Sequence, residues 1–378
     1  MIVVVGAGLI GLSIAFELAT RGATVRVIDA GRPASGASWA GAGMLAPYTE
    51  AIPEQPLAAL CAESLARYPA FVAALRASGG VDARLHLDGI VEAAYDPAGV
   101  ARLRAQVADL RAREIDARWL GAAEAHMLEP ALGANLLGAA YSASEGHVDN
   151  RRLGRALHAA CVARGAVVDA DAGEVTIEAD ARRVLGVRGP KGFIPASAVV
   201  NATGAASARL AGVPERARVK VMPVKGQMLA LAMPLGLVRR VLWVPGAYLV
   251  PRDDGRLLIG ATVEDGAGDV RVTARGIASL LEAALRAMPA LGDLTLAETW
   301  AGLRPGTPDG LPYLGETELG GYVVATGHYR NGILLAPATA VAIADLLESR
   351  PGAAGRLAPF SPGREHGAFA ASANERTL

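Results

Sequence analysis

The spacing of apolar positions changes several times along the chain, and each change predicts an element. Ile2-Val3-Val4-Val5 is a short β-branched run. After it come glycines, an apolar run of helical period and a second β-branched run, Val25-Arg26-Val27-Ile28, closed by Asp29. This is a strand, a turn, a helix and a strand. Pro56 to Leu75 carries Leu57, Leu60, Leu65, Phe71 and Leu75 at helical spacing, and Gly89 to Tyr95 alternates as a strand. From Pro97 to Glu114, Val100, Leu103, Val107 and Leu110 form one stripe with arginines elsewhere, an amphipathic helix. Gly121 to Leu128 predicts a short helix stopped by Pro130, and Asp149-Asn150 caps a helix running to about Arg164. Short strands follow at Val167-Val168, Glu174 to Ile177, Val184 to Val187 and Ala198 to Asn201.

From Val221 to Ala261 the pattern turns β-rich. Strands are predicted over Gly226–Leu231, Val241–Val244, Ala247–Pro251 and Arg256–Gly260, with Asp253-Asp254-Gly255 as a hairpin turn. Thr273 to Met288 predicts a helix and Leu294 to Trp300 a strand. Gly321 to Thr326 is one more buried strand, running into Gly327-His328-Tyr329-Arg330-Asn331-Gly332-Ile333 and a helix to about Glu348. A β-meander therefore interrupts an α/β unit. Residues 1–85, 145–215 and 301–362 are assigned to a discontinuous, Rossmann-type doubly wound domain. Residues 86–144 and 216–300 are assigned to an antiparallel-sheet substrate domain. The Gly/Ala/Ser-rich residues 363–378 are assigned to a flexible tail.

The first turn carries the chemistry. In Gly6-Ala7-Gly8-Leu9-Ile10-Gly11, Gly6 permits the tight turn, Gly8 lets backbone approach a pyrophosphate, and Gly11 lets helix and strand pack closely. The helix N-terminus presents free N–H groups and a partial positive charge. Asp29 can take both hydroxyls of an adenosine ribose and repels a 2′-phosphate, which disfavours NADP. A signal peptide or membrane anchor would also be apolar here. However, no basic segment precedes it, Glu17 interrupts it, and its glycines sit in mid-stretch. The glycine-dense run from Gly31 to Met44, with Trp39 and Met44 at its end, reads as cofactor contact more than as linker. Asn201-Ala202-Thr203-Gly204-Ala205 closes a buried strand with small residues, a second place for the dinucleotide to touch. The turn at 327–333 repeats the strand, glycine turn and helix N-terminus, which suits the negative charge of a reduced flavin.

Composition narrows the partners. The 378 residues are 52% hydrophobic, with 37 basic against 37 acidic residues, so a nucleic-acid partner is not expected. No uninterrupted apolar run reaches the length of a membrane span. Cys61 and Cys161 match no metal or redox spacing, and the six histidines show no HxxH or HExxH pairing, so no metal is expected. Two isolated thiols and no signal peptide favour the cytoplasm.

Few residues are placed for chemistry. Arg304, within Trp300-Ala301-Gly302-Leu303-Arg304-Pro305, cannot be a helix surface charge, and its guanidinium fits a carboxylate bidentately; a structural salt bridge is the competing reading. Tyr248 lies on a strand, where tyrosine usually packs in a core, but its hydroxyl needs a partner that a substrate carboxylate could supply. His328 and Arg330 flank Tyr329; His328 could equally bond backbone. Arg252 with Asp253 and Asp254 reads as a solvated turn.

Taken together, these motifs resemble the FAD-dependent, D-amino-acid-oxidase-like amine oxidoreductases, from about Ile2 to Pro362. They look most like the glycine-oxidising branch that serves thiamine biosynthesis. The N-terminal motif and Asn201-Ala202-Thr203-Gly204 are shared across that superfamily. Ala42-Gly43-Met44-Leu45, Tyr248-Leu249-Val250-Pro251-Arg252, Trp300 to Pro305 and Gly327 to Pro337 are more specific.

The resemblance implies non-covalent FAD. Gly6, Gly8, Ile10, Gly11, Asp29 and Ala30 would hold its ADP half, and Val175 its adenine side. Gly36 to Met44 would run along pyrophosphate and flavin, including Ser38, Trp39, Ala42, Gly43 and Met44. Ala202, Thr203 and Gly204 also touch it, and His328, Tyr329, Arg330, Asn331, Gly332 and Ile333 would close on the ring. Arg304 would pair with the substrate carboxylate, Tyr248 would assist and Arg330 would lie near the amine.

Glycine would lose its Cα hydrogen as hydride to flavin N5. Water would hydrolyse the imine to glyoxylate and ammonia, and O₂ would yield hydrogen peroxide. Alternatively the imine would feed thiazole synthesis. Gly246 and Val263 stand where glycine oxidases often carry bulkier side chains, so sarcosine, D-alanine and D-proline are also expected as candidates. A quinone-linked D-amino acid dehydrogenase of the same fold is the rival reading. A tRNA-modifying flavoprotein and a non-enzymatic NAD-binding module are weaker ones. A homo-oligomer stays open.

Overall fold

The structure is a computed structural model, and it describes residues 1–52, 55–266 and 268–365. The predicted strand–helix–strand unit is observed as Ile2–Val5, Leu9–Thr20 and Val25–Ile28. It forms the centre of a six-stranded sheet. The spatial order is Tyr313–Glu316, Tyr322–Thr326, Ala198–Asn201, Ile2–Val5, Val25–Ile28 and Val167–Asp169, parallel except for the first strand. Both faces are covered, which is why the strands read as continuous apolar runs and not as alternations. Val4 packs with the helices Leu9–Thr20, Asn150–Ala163 and Ala336–Leu347. Val3 and Val5 pack on the other side with Val175, Ile177, Val184 and Val187, from a three-stranded antiparallel sheet at residues 176–195 and the residue before it.

The second sheet has nine strands and is mostly antiparallel. Its axis is the long strand Met222–Ala232, paired along its whole length with Thr295–Gly306 and on its other side with Arg256–Gly260. Leu229, Leu231, Leu249, Leu257 and Ile259 face the helix Ala274–Ala287 and make a separate core. The opposite face carries Trp243, Met228, Tyr248 and Trp300, and it looks toward the first sheet through Ala40 and Ala42. Asp149 caps the helix Asn150–Ala163, accepting from Arg152 N at 2.9 Å, as its side-chain type predicts.

Two local expectations need correction, and the structure adds features the sequence reading did not include. The strand predicted to end at Trp300 runs on to Gly306, because the ladder continues opposite Met222–Ala230 and the paired prolines Pro305 and Pro223 each lack a donor. The helix predicted after residues 327–333 starts at Ala336; Asn331 to Leu335 form a single turn, closed by Leu335 N donating to Asn331 O at 2.8 Å. The helix Gln55–Gly79 is long and apolar enough by length and composition to cross a membrane, the one such helix among the described residues. It packs Leu57, Leu60, Cys61, Leu65, Tyr68 and Leu75 into the core and pairs Glu63 with Arg67 on its outer side. Strands at Ala117–Gly121, Gly138–Ser142 and Tyr313–Glu316 were not anticipated. Of the predicted tail, residues 366–378 lie outside the described residues.

Candidate active site

One cavity of about 1010 Å³ runs between the two sheets, at the upper end of the size range of ligand pockets, roughly 300–1,000 Å³. Its near end is the first glycine turn. Gly6 has φ +106°, and a Cβ there would stand 2.7 Å from the carbonyl carbon of Ala202. Only glycine lets the two strand ends meet this closely. Gly11 does not reach the cavity; a Cβ on it would strike the Gly6 carbonyl, so its role is packing.

Asp29 lines the cavity half-buried, and each carboxylate oxygen accepts one backbone N–H: Oδ2 from Ala7 at 2.6 Å and Oδ1 from Gly31 at 2.8 Å. These bonds fix the carboxylate and leave lone pairs for hydroxyls. Ser38 Oγ accepts from Leu9 N at 3.0 Å in the first turn of the helix. Gly6, Gly8, Ile10, Ala30, Val175, Ala202, Thr203 and Gly204 line the same end.

At the far end, three glycines clear space on one face of the nine-stranded sheet. Tyr248 and Met228 both lie opposite Gly260, and Gly226 lies opposite Gly302. A Cβ at Gly302 would stand 2.5 Å from Ala40 Cβ, so the missing side chain admits the helical turn Ala37–Ala40. Arg304 lies in the space above Gly226. Its Nη1 donates to Thr262 O at 3.1 Å and Lys225 O at 3.3 Å, and among the described residues it forms no ion pair with a carboxylate. Burial holds its pKa below the usual guanidinium value, yet it stays charged.

Tyr248, 7% exposed, directs its hydroxyl to Met228 Sδ at 3.9 Å. Burial raises its pKa, with the Arg304 and Arg330 charges pulling it back. Tyr248, Arg304 and Arg330 therefore share the cavity, with Ala261, Val263 and Val270 at the same end.

His328, Tyr329, Arg330, Gly332 and Ile333 line the cavity, as do Trp39, Ala42, Gly43 and Met44; Asn331 does not. His328 is buried, its Nε2 lies 3.2 Å from Thr339 Oγ1, and burial pushes its pKa down to about 3, so it is neutral. Trp39 stacks under the Arg151 guanidinium, 3.7 Å from its ring centre, and meets Trp300 edge to face.

Glu50 also lines this cavity. Nothing in its local pattern marks it beyond being an acid shortly after the glycine-rich run. Gly246 does not line it: it sits in the turn between Val241–Val244 and Ala247–Pro251 with φ +87°, so of the two only Val263 lines the cavity. Arg252 is not solvated either. It is 5% exposed, and its Nη2 donates to Ala42 O at 2.7 Å; Asp253 and Asp254 are exposed as expected.

The residues present fit FAD. The glycine turn, the anchored Asp29 and the small residues 202–204 make a cradle that any Cβ at Gly6 would fill, and the cavity continues past it to Arg304.

Comparison with known proteins agrees with this geometry. The family model described as FAD dependent oxidoreductase matches residues 1–346. A glycine oxidase of Geobacillus kaustophilus is 39% identical over 370 residues, which are 97% of each chain. Its counterpart crystal structure superposes with a TM-score of 0.91 at 38% identity, covering 97% of this chain and 99% of that one. The bifunctional protein ThiO/ThiG of Synechocystis is 38% identical over 92% of this chain, which spans about half (51%) of that longer protein. An iminodiacetate oxidase from Chelativorans superposes with a TM-score of 0.86 at 30% identity, covering 96% and 99% of the two chains.

Proposed function

This chain belongs to the FAD dependent oxidoreductase family, and from that premise we propose that it oxidises a small amino acid, glycine first, to the imine. One observation carries the reading. Arg304 presents a guanidinium to the cavity, braced by two backbone carbonyls and paired with no carboxylate of its own. A cation held this way is a ready partner for a substrate carboxylate. Arg330 and Glu50 line the same cavity, and both act on Tyr248 together with Arg304, so charges of both signs meet at this end, as a ligand with one acid and one amine needs.

FAD, when bound, supplies the two-electron acceptor for the Cα hydrogen. Gly6, Gly8, Asp29 and residues 202–204 would hold its ADP half, with Ile10, Ala30 and Val175 beside it. Residues 36–44 and 328–333 would enclose its other half. Arg304 fixes the carboxylate so that one Cα–H bond has a single orientation, and alignment of this kind supplies much of the acceleration. Tyr248 directs its hydroxyl along the same wall and excludes water. The neutral amine needs no strong base to give up hydride, which agrees with a His328 that burial keeps uncharged and bonded to Thr339.

The imine hydrolyses to glyoxylate and ammonia. O₂ accepts the two electrons with two protons and gives hydrogen peroxide. Transfer of the imine to thiazole assembly would tie the enzyme to thiamine synthesis, as the name of the longer Synechocystis relative suggests. Residues 1–85, 145–215 and 301–362 would form the cofactor domain and residues 86–144 and 216–300 the substrate domain.

The test is direct. The purified protein should be yellow, should bleach when glycine, sarcosine or D-alanine is added anaerobically, and should consume oxygen with the same substrate. A colourless protein that takes up no FAD would overturn the proposal. Bleaching without oxygen uptake would replace the oxidase with a quinone-linked dehydrogenase.

A further inference from the structure

The run from Gly36 to Met44 forms one wall of the cavity, and its carbonyls are held from the outside. Asn150 Nδ2 donates to Ser38 O at 2.8 Å and to Trp39 O at 3.0 Å. Trp300 Nε1 donates to Ala40 O at 2.8 Å, Arg252 Nη2 to Ala42 O at 2.7 Å, and Val148 N to Gly43 O at 2.9 Å. These donors come from the start of the helix Asn150–Ala163, from the strands Thr295–Gly306 and Gly146–Val148, and from the residue after the strand Ala247–Pro251. A peptide's C=O and N–H point in opposite directions. Holding the Ala42 carbonyl outward therefore aims the Gly43 N–H inward, and among the described residues no protein acceptor takes it.

Arg252 is an unusual choice for this task. Asn150 and Trp300 show that a neutral donor is enough to tie a carbonyl. A buried cation costs several kcal/mol unless it is paired, yet Arg252 is 5% exposed and forms no ion pair among the described residues. Its Nη2 also lies 3.1 Å from Asn150 Oδ1, a neutral acceptor. Its Nη1 is buried without a protein partner, and the guanidinium borders a cavity of about 150 Å³ together with His86, His147, Asp149 and Asp254. Burial, more than any neighbouring charge, pushes its pKa down to about 10, so it is still a cation at neutral pH. That charge sits one hydrogen bond behind the cavity wall, on the Ala42 carbonyl.

We propose that Arg252 is a positioning residue that locks the Ala42–Gly43 peptide with its N–H toward bound FAD and, through its positive charge, favours the electron-rich reduced cofactor. This rests on the FAD reading of the cavity. A neutral donor would fix the loop equally well but would not favour the reduced state.

The test uses the holoenzyme with Arg252→Met and Arg252→Lys, measuring the FAD midpoint potential, FAD affinity and steady-state kinetics with glycine. Arg252→Met should weaken FAD binding about tenfold and disfavour the reduced form about tenfold, a shift near −30 mV for a two-electron couple. Arg252→Lys should recover most of the potential. The KM for glycine should stay within about twofold, since Arg304 lies on a different strand.

Should Arg252→Met not fold, Arg252→Gln keeps a neutral donor for the Ala42 carbonyl and should lower the potential in the same direction. A wild-type potential and FAD affinity in the variants, with only a lower Tm, would overturn the inference. A wild-type protein that binds no FAD would instead overturn the reading beneath it.

Discussion

The Arg304 guanidinium lies across the bare backbone of Gly226: a Cβ built on that glycine would stand 2.6 Å from Arg304 Cζ. The strand geometry explains this, because Gly226 pairs with Gly302, two residues before Arg304 on the same face. Gly226→Ala should therefore push the guanidinium off its two carbonyls without touching the cofactor end of the cavity. We expect KM for glycine to rise about tenfold, roughly 1.4 kcal/mol, with the visible spectrum unchanged. An unaltered KM would mean that Arg304 tolerates a shift and does not set carboxylate position.

Asp29 is held by Ala7 N and Gly31 N on one side, leaving its remaining lone pairs to the cavity. Asp29→Ala removes a charged acceptor worth about 1.5–3 kcal/mol. FAD affinity should fall roughly tenfold to hundredfold, read as flavin lost on dialysis. Retention equal to the wild type would remove Asp29 from the FAD site.

Glu145 should give the fold a pH dependence whose sign follows from its burial. Burial raises its pKa to about 7, although it accepts from Tyr48 N at 2.6 Å and from Thr49 N at 3.0 Å. An unfolded glutamate titrates near 4.3. The folded state thus holds the proton more tightly, so this stabilisation is complete below about pH 4 and is lost as pH rises toward 7. The change is at most about 4 kcal/mol. Glu145→Gln should flatten the fall in Tm between pH 4.5 and 7 relative to the wild type. An identical slope in both proteins would assign that pH dependence elsewhere.

Val263 lines the cavity, while Gly246 stands apart in its turn, so Val263 is the one of the two that can test pocket width. Val263→Met should narrow the pocket and lower kcat/KM for sarcosine and D-alanine more than for glycine, by about threefold to tenfold, the scale of a methylene or two. Equal effects on all three substrates would show that Val263 does not face the reacting carbon.

Much of this was legible from residues alone because the chemistry is local. A β-branched run, glycines at 6, 8 and 11 and an acid at 29 dictate the first unit, and Asp149 announces its cap. Arg304 was legible for the same reason, as a cation flanked by glycine and proline. Its setting was not. Gly302, Pro305 and Gly306 dilute the β-signal, yet the strand continues because the glycines make room for Ala40 and for the guanidinium crossing Gly226. Arg252 misled for a related reason. Its neighbours Asp253, Asp254 and Gly255 are those of a surface turn, while its burial depends on Ala42 and Asn150, far away in the chain. Glu50 enters the cavity only through tertiary packing, and no periodicity marks it.

The central claim is that Arg304 anchors the substrate's carboxylate beside bound FAD. Its most direct measurement is kcat/KM for glycine in Arg304→Ala, with FAD content followed by visible absorbance. The account predicts a fully yellow protein whose kcat/KM falls by a hundredfold or more, about 2.7 kcal/mol. A yellow variant that loses less than about tenfold would contradict it.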